Sequence, residues 1–441
     1  MDMTCCIPGC PKGNKMNEEE LDALAVDNFR AYLRFPTVHP NPDYSAAVHW
    51  LRQQGESLGL TCFITELIPS NPILIMRWKG REPDLPAILL NSHMDVVPVK
   101  EENWTYPPFS GVLSEDGKIY GRGSQDMKCV GIHQLEAVRR LKNRGIAELR
   151  RTVFLSFVPD EELGGVRGMQ PFIEGKHPLH PESPNEVQFT KLNIGLCLDE
   201  GIASPTDDYV AFYAERTQCW FNIRFKGVAG HGLTLLDGTA GEKLQLFLSR
   251  IMTFRAEEKA RLDQSNGHLS LGDVTSVNLT MLGGGLQHNV LPTELSASFD
   301  VRLPPCMSFN TWKAKLDKWA EEVGGGVEFE FINVGFDSTG LSAEPDEKTD
   351  PYWSTLFRIC KRFGVGLVKR VFPGGTDARF VRNFHTLPNS PKDTKPIPAI
   401  GFSPMRRTPV LLHDHDEYLS RDEFLLGCRV YTELLLELSE L

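Results

Sequence analysis

Two periodicities alternate along this chain. Apolar residues at three-and-four spacing, first Leu21, Leu24, Phe29, Tyr32 and Leu33 and then Tyr44, Ala47, Val48, Leu51 and Leu58, predict helices with one buried stripe. Short apolar runs follow, separated by further helices: "PAILLNSH", "TVFLSFVPD", "NIGLCLDE" and "PAIGFSP". These runs lack the in-out alternation of a half-exposed strand. Each therefore predicts a strand covered on both faces, as in a mainly parallel α/β sheet. "GKHPLHPESPNE", between the second and third runs, predicts a loop.

From about residue 212 to about 335 the pattern changes to longer, half-alternating strands, "CWFNIRFKG", "VTSVNLTML", "LSASFDVRL" and "VEFEFINV". Two amphipathic helices accompany them, one carrying Leu244, Phe247, Leu248, Ile251 and Phe254, the other Trp312, Leu316, Trp319 and Val323. The order βαββαβ predicts a separate α+β unit inserted into the larger one. The expected division is a tail over 1–20, a first part of the large domain over 21–211, the insert over 212–335 and the second part over 336–441. The last part closes with an apolar helix around Phe424 to Leu438.

Composition narrows the function. With 441 residues, 41% hydrophobic and 24% charged, the chain has the profile of a soluble protein of two domains. Its net charge of -11, with no local basic stripe, argues against nucleic acid and anionic membranes as partners. No stretch reaches the roughly 20 apolar residues of a membrane span, and the N-terminus lacks a signal-peptide core and the glycine that myristoylation needs. Ten scattered cysteines do not form a disulfide framework, so a cytoplasmic location is expected. Cys5, Cys6 and Cys10 lack a second pair at finger-like spacing and predict a loose tail, within which Met16 offers an alternative start.

Ionisable residues stand at the carboxyl ends of three of the apolar runs: His93 and Asp95, then Asp160, Glu161 and Glu162, then Asp199 and Glu200. Ligands of open α/β sheets bind beyond those ends, so the three groups should meet on one rim. A single acidic strand end is ordinary surface chemistry. Three together predict a site. Residues two apart share a strand face, which lets His93 reach a metal while Asp95 steadies its ring. Adjacent residues face apart, which lets Glu162 ligate while Glu161 stays free as a base. Asp126, in "GRGSQDMKC", stands just before a helix and is either a ligand or an N-cap. His413 and His415 lie in the polar cluster "LLHDHDE". Imidazoles and carboxylates together suit zinc, with manganese or cobalt as alternatives. Five protein ligands exceed a four-coordinate site, so one carboxylate must bridge two ions about 3.5 to 4 Å apart.

The segments "NSHMDVVPV", "GRGSQDMKC", "VPDEELGG", "LDEGIASPTDDYVAFYAER" and "GFSPMRRTPVLLHDHDE" resemble, in this order, those of the aminoacylase-1 family. These N-acyl-L-amino-acid amidohydrolases belong to a superfamily of co-catalytic zinc aminoacylases, carboxypeptidases and dipeptidases. The resemblance spans about residues 25 to 438 and implies two zinc ions per subunit. His93 and Glu200 would hold one ion and Glu162 and His413 the other, with Asp126 bridging. Asp95 would orient His93, and Glu161 would be the general base. His413 is preferred to His415 because the family's ligand stands four residues before a glutamate, here Glu417.

The resemblance further implies that the insert is a lid and the interface of a homodimer. His231 in "VAGHG" would reach the partner's site and stabilise the oxyanion, although Gly232 and Leu233 depart from the superfamily's small residues after it. Asn289, Arg302 and Arg379 would bind substrate. The expected reaction is hydrolysis of an N-acyl-L-amino acid, with water activated by the zinc pair and Glu161. A dipeptidase or carboxypeptidase of the same superfamily is the alternative activity. A binding protein that has lost catalysis would lack the base or a ligand, and here each is present.

Overall fold

A computed structural model describes residues 15–179, 187–336 and 344–441. Cys5, Cys6 and Cys10, and much of the loop expected at "GKHPLHPESPNE", lie outside the described residues. The large unit is built on an eight-stranded sheet. Its order is Thr61–Glu66, Pro72–Trp78, Val153–Val158, Ala87–His93, Ile194–Asp199, Ala399–Phe402, Tyr209–Glu215 and Leu367–Phe372.

The three central runs are mutually parallel, with Ala87–His93 between Val153–Val158 and Ile194–Asp199. Ala399–Phe402 continues that direction beside Ile194–Asp199. The mixed, mainly parallel α/β fold is the one expected. Sheet edges differ: Pro72–Trp78 pairs antiparallel with both of its neighbours, as the second strand of a hairpin folded back onto the sheet.

Every residue of Ala87–His93 and of Val153–Val158 is buried, as their unbroken apolar pattern requires. Helices Glu18–Leu33, Lys128–Asn143 and Arg421–Glu440 cover one face through Phe29, Ile132, Leu135, Phe424 and Tyr431. The other face is closed by Phe172, Phe189, Phe380 and Phe384. Helix starts follow local chemistry. Asn17 and Glu20 form a reciprocal capping box, and Ser420 accepts from Glu423 N.

The inserted segment forms its own antiparallel sheet, ordered Ser276–Gly284, Glu294–Leu303, Thr217–Lys226 and Val327–Val334. Thr217–Lys226 alternates buried and more exposed positions, because one face packs on helices Ala240–Asp263 and Phe309–Glu322 and the other does not. Phe221, Phe225, Phe247 and Trp312 fill that small core. The start of the insert lies later than residue 212. Residues Phe212, Ala214 and Glu215 pair with Arg370, Val371 and Phe372 in the large sheet. We place the boundary at Arg216, where the chain passes from one sheet to the other; the run "YVAFYAE" is apolar on both sides of 212, so pattern alone does not divide it. No described helix is long and apolar enough to cross a membrane.

Candidate metal centre

Parallel pairing puts the carboxyl ends of three central strands side by side. His93 ends its strand, Glu200 follows Asp199 at the end of the next, and Glu161 and Glu162 lie just beyond Val158. The last pair is not on a strand. Glu161–Leu163 is a turn of 3₁₀ helix entered through Asp160, whose φ of 70° is left-handed, and it leaves through Gly164 and Gly165. That turn, rather than strand alternation, separates the two glutamates. Glu161 brings a carboxylate oxygen within 4.8 Å of ligand atoms on His93 and Glu200, while Glu162 does so with His93 and Asp126.

Asp126 lies at the centre. Its Oδ1 is 3.0 Å from His93 Nε2 and its Oδ2 is 3.3 Å from His413 Nε2. His413 Nε2 is also 3.0 Å from Glu162 Oε2, and His93 Nε2 is 3.7 Å from Glu200 Oε2. Asp126 does not cap the helix that follows: Lys128–Asn143 starts from Met127 with no side-chain capping bond. His415 points elsewhere, with its Nε2 3.2 Å from Asn103 Nδ2 on the exposed surface.

Asp95 is fully buried and holds the first ligand and the turn together. His93 Nδ1 sits 2.9 Å from the Asp95 carbonyl and 3.5 Å from its Oδ1, so the main-chain oxygen is the closer orienting partner. The Asp95 carboxylate instead accepts from the backbone N–H groups of Glu161 and Glu162, at 3.2 and 3.1 Å. Its Oδ2 also lies 2.8 Å from His39 Nε2. His39 carried no signal in the sequence, because it stands 56 residues before Asp95 in a proline-bearing loop. Asp377 was also missed. It is buried, and neither of its carboxylate oxygens has a hydrogen-bond partner among the described residues. Burial, and then repulsion from Asp199, pushes its carboxyl up to about 8.

The electrostatics suit a divalent cation. Burial, then repulsion from Asp126, lifts Glu162 to about 7. Burial and neighbouring carboxylates raise Glu161 and Glu200 well above their usual range. Burial alone would also raise Asp126, but its bonds to His413 and His93 hold it low. The same bonds to Asp126 and Glu162 push His413 up to about 10. Such a cluster retains protons unless a cation replaces them. Two imidazoles and three carboxylates, from His93, His413, Asp126, Glu162 and Glu200, match the donors that zinc accepts, and the two oxygens of Asp126 face different imidazoles.

Arg379, in the short helix Ala378–Arg382, stands beside this group. Its Nη1 is 3.8 Å from Glu161 Oε1, and its guanidinium donates to the carbonyls of Thr376 and Gly164, both at 2.8 Å. The other substrate candidates belong to the insert. His231 is exposed on the two-residue strand Gly230–His231, paired with Val290, and Gly232 N donates to Asn289 O at 2.8 Å. His231 and Asn289 therefore share one ribbon. Arg302 is ion-paired with Asp300, at 2.8 and 3.2 Å, and stacks near Trp220. Among the described residues, none of the hydrogen bonds, ion pairs or ring contacts of these three residues reaches the cluster.

Residues 89–437 match the family model Peptidase family M20/M25/M40. Aminoacylase-1 of Mus musculus is 44% identical over 418 residues, which cover 95% of this chain and 96% of that protein. Among solved structures, an M20 family metallo-carboxypeptidase from Sulfolobus solfataricus superposes with a TM-score of 0.66 at 16% identity, covering 95% of this chain and 99% of the other. A dinuclear metal-binding peptidase of the M20 family from Bacillus subtilis gives a TM-score of 0.64 at 16% identity, covering 96% and 99%.

Proposed function

The chain belongs to peptidase family M20/M25/M40, and on that premise we propose that it hydrolyses N-acyl-L-amino acids to a carboxylate and a free L-amino acid at a two-metal centre. One observation carries the metal part: the two oxygens of Asp126 each face a different imidazole, at 3.0 and 3.3 Å. Likeness to aminoacylase-1 over 95% of the chain carries the substrate class.

In this reading His93 and Glu200 would hold one zinc ion and Glu162 and His413 the other, with Asp126 shared between them. When bound, the ions lower the pKa of water and polarise the acyl carbonyl. Glu161 would serve as the base that takes a proton from the attacking water and returns it to the departing amide nitrogen. Its half-buried position beside His93 and Glu200, and a carboxyl raised above its usual range by burial and then by Glu200, suit a group that takes and returns a proton. Asp95 fixes the turn that separates Glu161 from Glu162. Arg379 offers the planar fork that pairs with a substrate carboxylate.

The remaining roles call for a second copy. His231 would stabilise the oxyanion, and Asn289 and Arg302 would bind substrate, in the partner's site. A homodimer is supported by the edge strand Ser276–Gly284, which among the described residues is paired on one side only and where Met281 and Leu282 are 62% and 61% exposed. The seven described cysteines are free, which suits a reducing cytoplasm.

The test compares turnover of N-acetylmethionine with that of a dipeptide. Faster cleavage of the acyl amino acid is expected. Faster cleavage of the dipeptide would assign the alternative activity of the superfamily.

A further inference from the structure

Two loops meet at the outer half of the metal centre, and both depend on one buried glutamate. The loop that carries Asp126 leaves the strand Lys118–Tyr120, and the segment that carries His413 enters the strand Tyr418–Ser420. Those strands pair, with Tyr120 opposite Tyr418. Glu417 stands at the junction and is fully buried.

Its carboxylate accepts four bonds from the Asp126 loop. Arg122 Nη1 donates at 2.6 Å, Gln125 N at 2.6 Å, Gly123 N at 3.2 Å and Asp126 N at 3.3 Å. Gln125 returns the connection. Its Nε2 donates to the carbonyls of Pro409 and Tyr418 at 3.1 and 2.8 Å, and its Oε1 accepts from Leu411 N at 3.0 Å. The two ligand loops are thus laced together across almost 300 positions of sequence.

The inner half of the centre is built differently. His93 and Glu200 stand at the ends of neighbouring strands in the middle of the large sheet and are 0% and 6% exposed. His413 has a side chain 51% exposed and a left-handed φ of 64°. Packing alone does not hold it.

We propose that Glu417, with Gln125, is a positioning residue that sets the distance between Asp126 and His413 and thereby the affinity for the second of the two metal ions. The inference rests on the two-metal reading above. A carboxylate is required because one group must accept from four donors, three of them backbone N–H groups that have no other partner there to turn to. Glutamine would turn one acceptor into a donor facing those N–H groups. The lacing would then loosen, and the His413 segment would move away from Asp126, which keeps its place beside His93 and Glu200.

The test is a zinc titration of the metal-stripped full chain, with a cobalt titration followed by absorption as a second readout. In Glu417→Gln the first equivalent is expected to bind as in the natural protein. The second is expected to bind about 10- to 100-fold more weakly, the usual effect of losing a residue that orients a ligand. The first-equivalent cobalt spectrum should stay unchanged, while the unfolding midpoint of the metal-free chain should fall, because Arg122 loses its buried partner. Two tight equivalents in Glu417→Gln would overturn the proposal. So would equal weakening of both ions, which is the mark of a residue that only stabilises the fold. If Glu417→Gln does not fold, Gln125→Ala is judged by the same outcomes, because it cuts the lacing without burying an unmatched charge. A natural protein that binds fewer than two ions would remove the two-metal reading itself, and the proposal with it. Two ions in the natural protein and two tight ions in the variant would remove the proposal alone.

Discussion

Glu161 and Glu162 are neighbours in the chain, yet they serve different partners because the backbone turns at Asp160 and the Asp95 carboxylate pins both of their N–H groups. Glu162 bonds to His413, while the nearest cation to Glu161 is Arg379 at 3.8 Å. Glu161→Gln keeps the shape and every ligand, so two metal ions should still bind while turnover falls about 100- to 10,000-fold. Metal analysis beside kcat checks this, and substantial residual turnover would move the base elsewhere. The acidic residues were legible in sequence because three apolar runs ended in them. The geometry that divides their labour was not, since a 3₁₀ turn leaves no period to read, and His39 and Asp377 act through space with no spacing to betray them.

Protons at these residues give a further expectation. Glu162 rises to about 7 in the folded, metal-free chain, above its ordinary 4.5. The fold therefore holds that proton more tightly than the unfolded chain does. Its contribution to metal-free stability is complete below about pH 4.5 and is lost as pH rises through about 7. His413, raised to about 10, has the same sign between about pH 6.5 and 10. Zinc needs both groups deprotonated, so the rise in unfolding midpoint on adding zinc should grow from pH 5 to pH 8. Thermal unfolding with and without zinc measures it. A constant difference would mean that the cluster does not give up protons to the metal.

At the scale of elements, strand order delivers the residues and tight turns aim them. Gly168 shows how little slack the glutamate turn has: a Cβ there would lie 1.9 Å from the carbonyl oxygen of Pro159. Gly168→Ala should force the 159–168 segment to shift, lowering both metal occupancy and kcat at a stability cost of about 1 to 3 kcal/mol. Unchanged occupancy and kcat in that variant would show that the turn does not aim the glutamates. The parallel core was readable because both faces of each strand are buried and the pattern is therefore continuous. The edges were less so. Tyr209–Glu215 is as apolar before residue 212 as after it, so the passage into the insert is set by pairing with Leu367–Phe372, which no local pattern records.

At the scale of the molecule, the chain carries the cluster of candidate ligands on one sheet and a ribbon with His231 and Asn289 apart from it, with no hydrogen bond or ion pair between the two among the described residues. If each ribbon completes a neighbour's site, two inactive variants should repair one another. Mixing equal amounts of Glu161→Gln and His231→Ala chains, with exchange of subunits, makes about half of the dimers mixed, each with one complete site, or about a quarter of natural activity. Activity no higher than the sum of the two variants would place His231 in its own chain's site or outside catalysis.

The central claim, a two-metal centre that cleaves N-acyl amino acids, is tested most directly by measuring metal content per chain together with activity on a panel of acyl amino acids and dipeptides. Two zinc ions per chain, with turnover of the acyl amino acids that rises with the second ion and exceeds that of the dipeptides, is the predicted result. One ion or none in a fully active enzyme, or dipeptides cleaved faster, would contradict it.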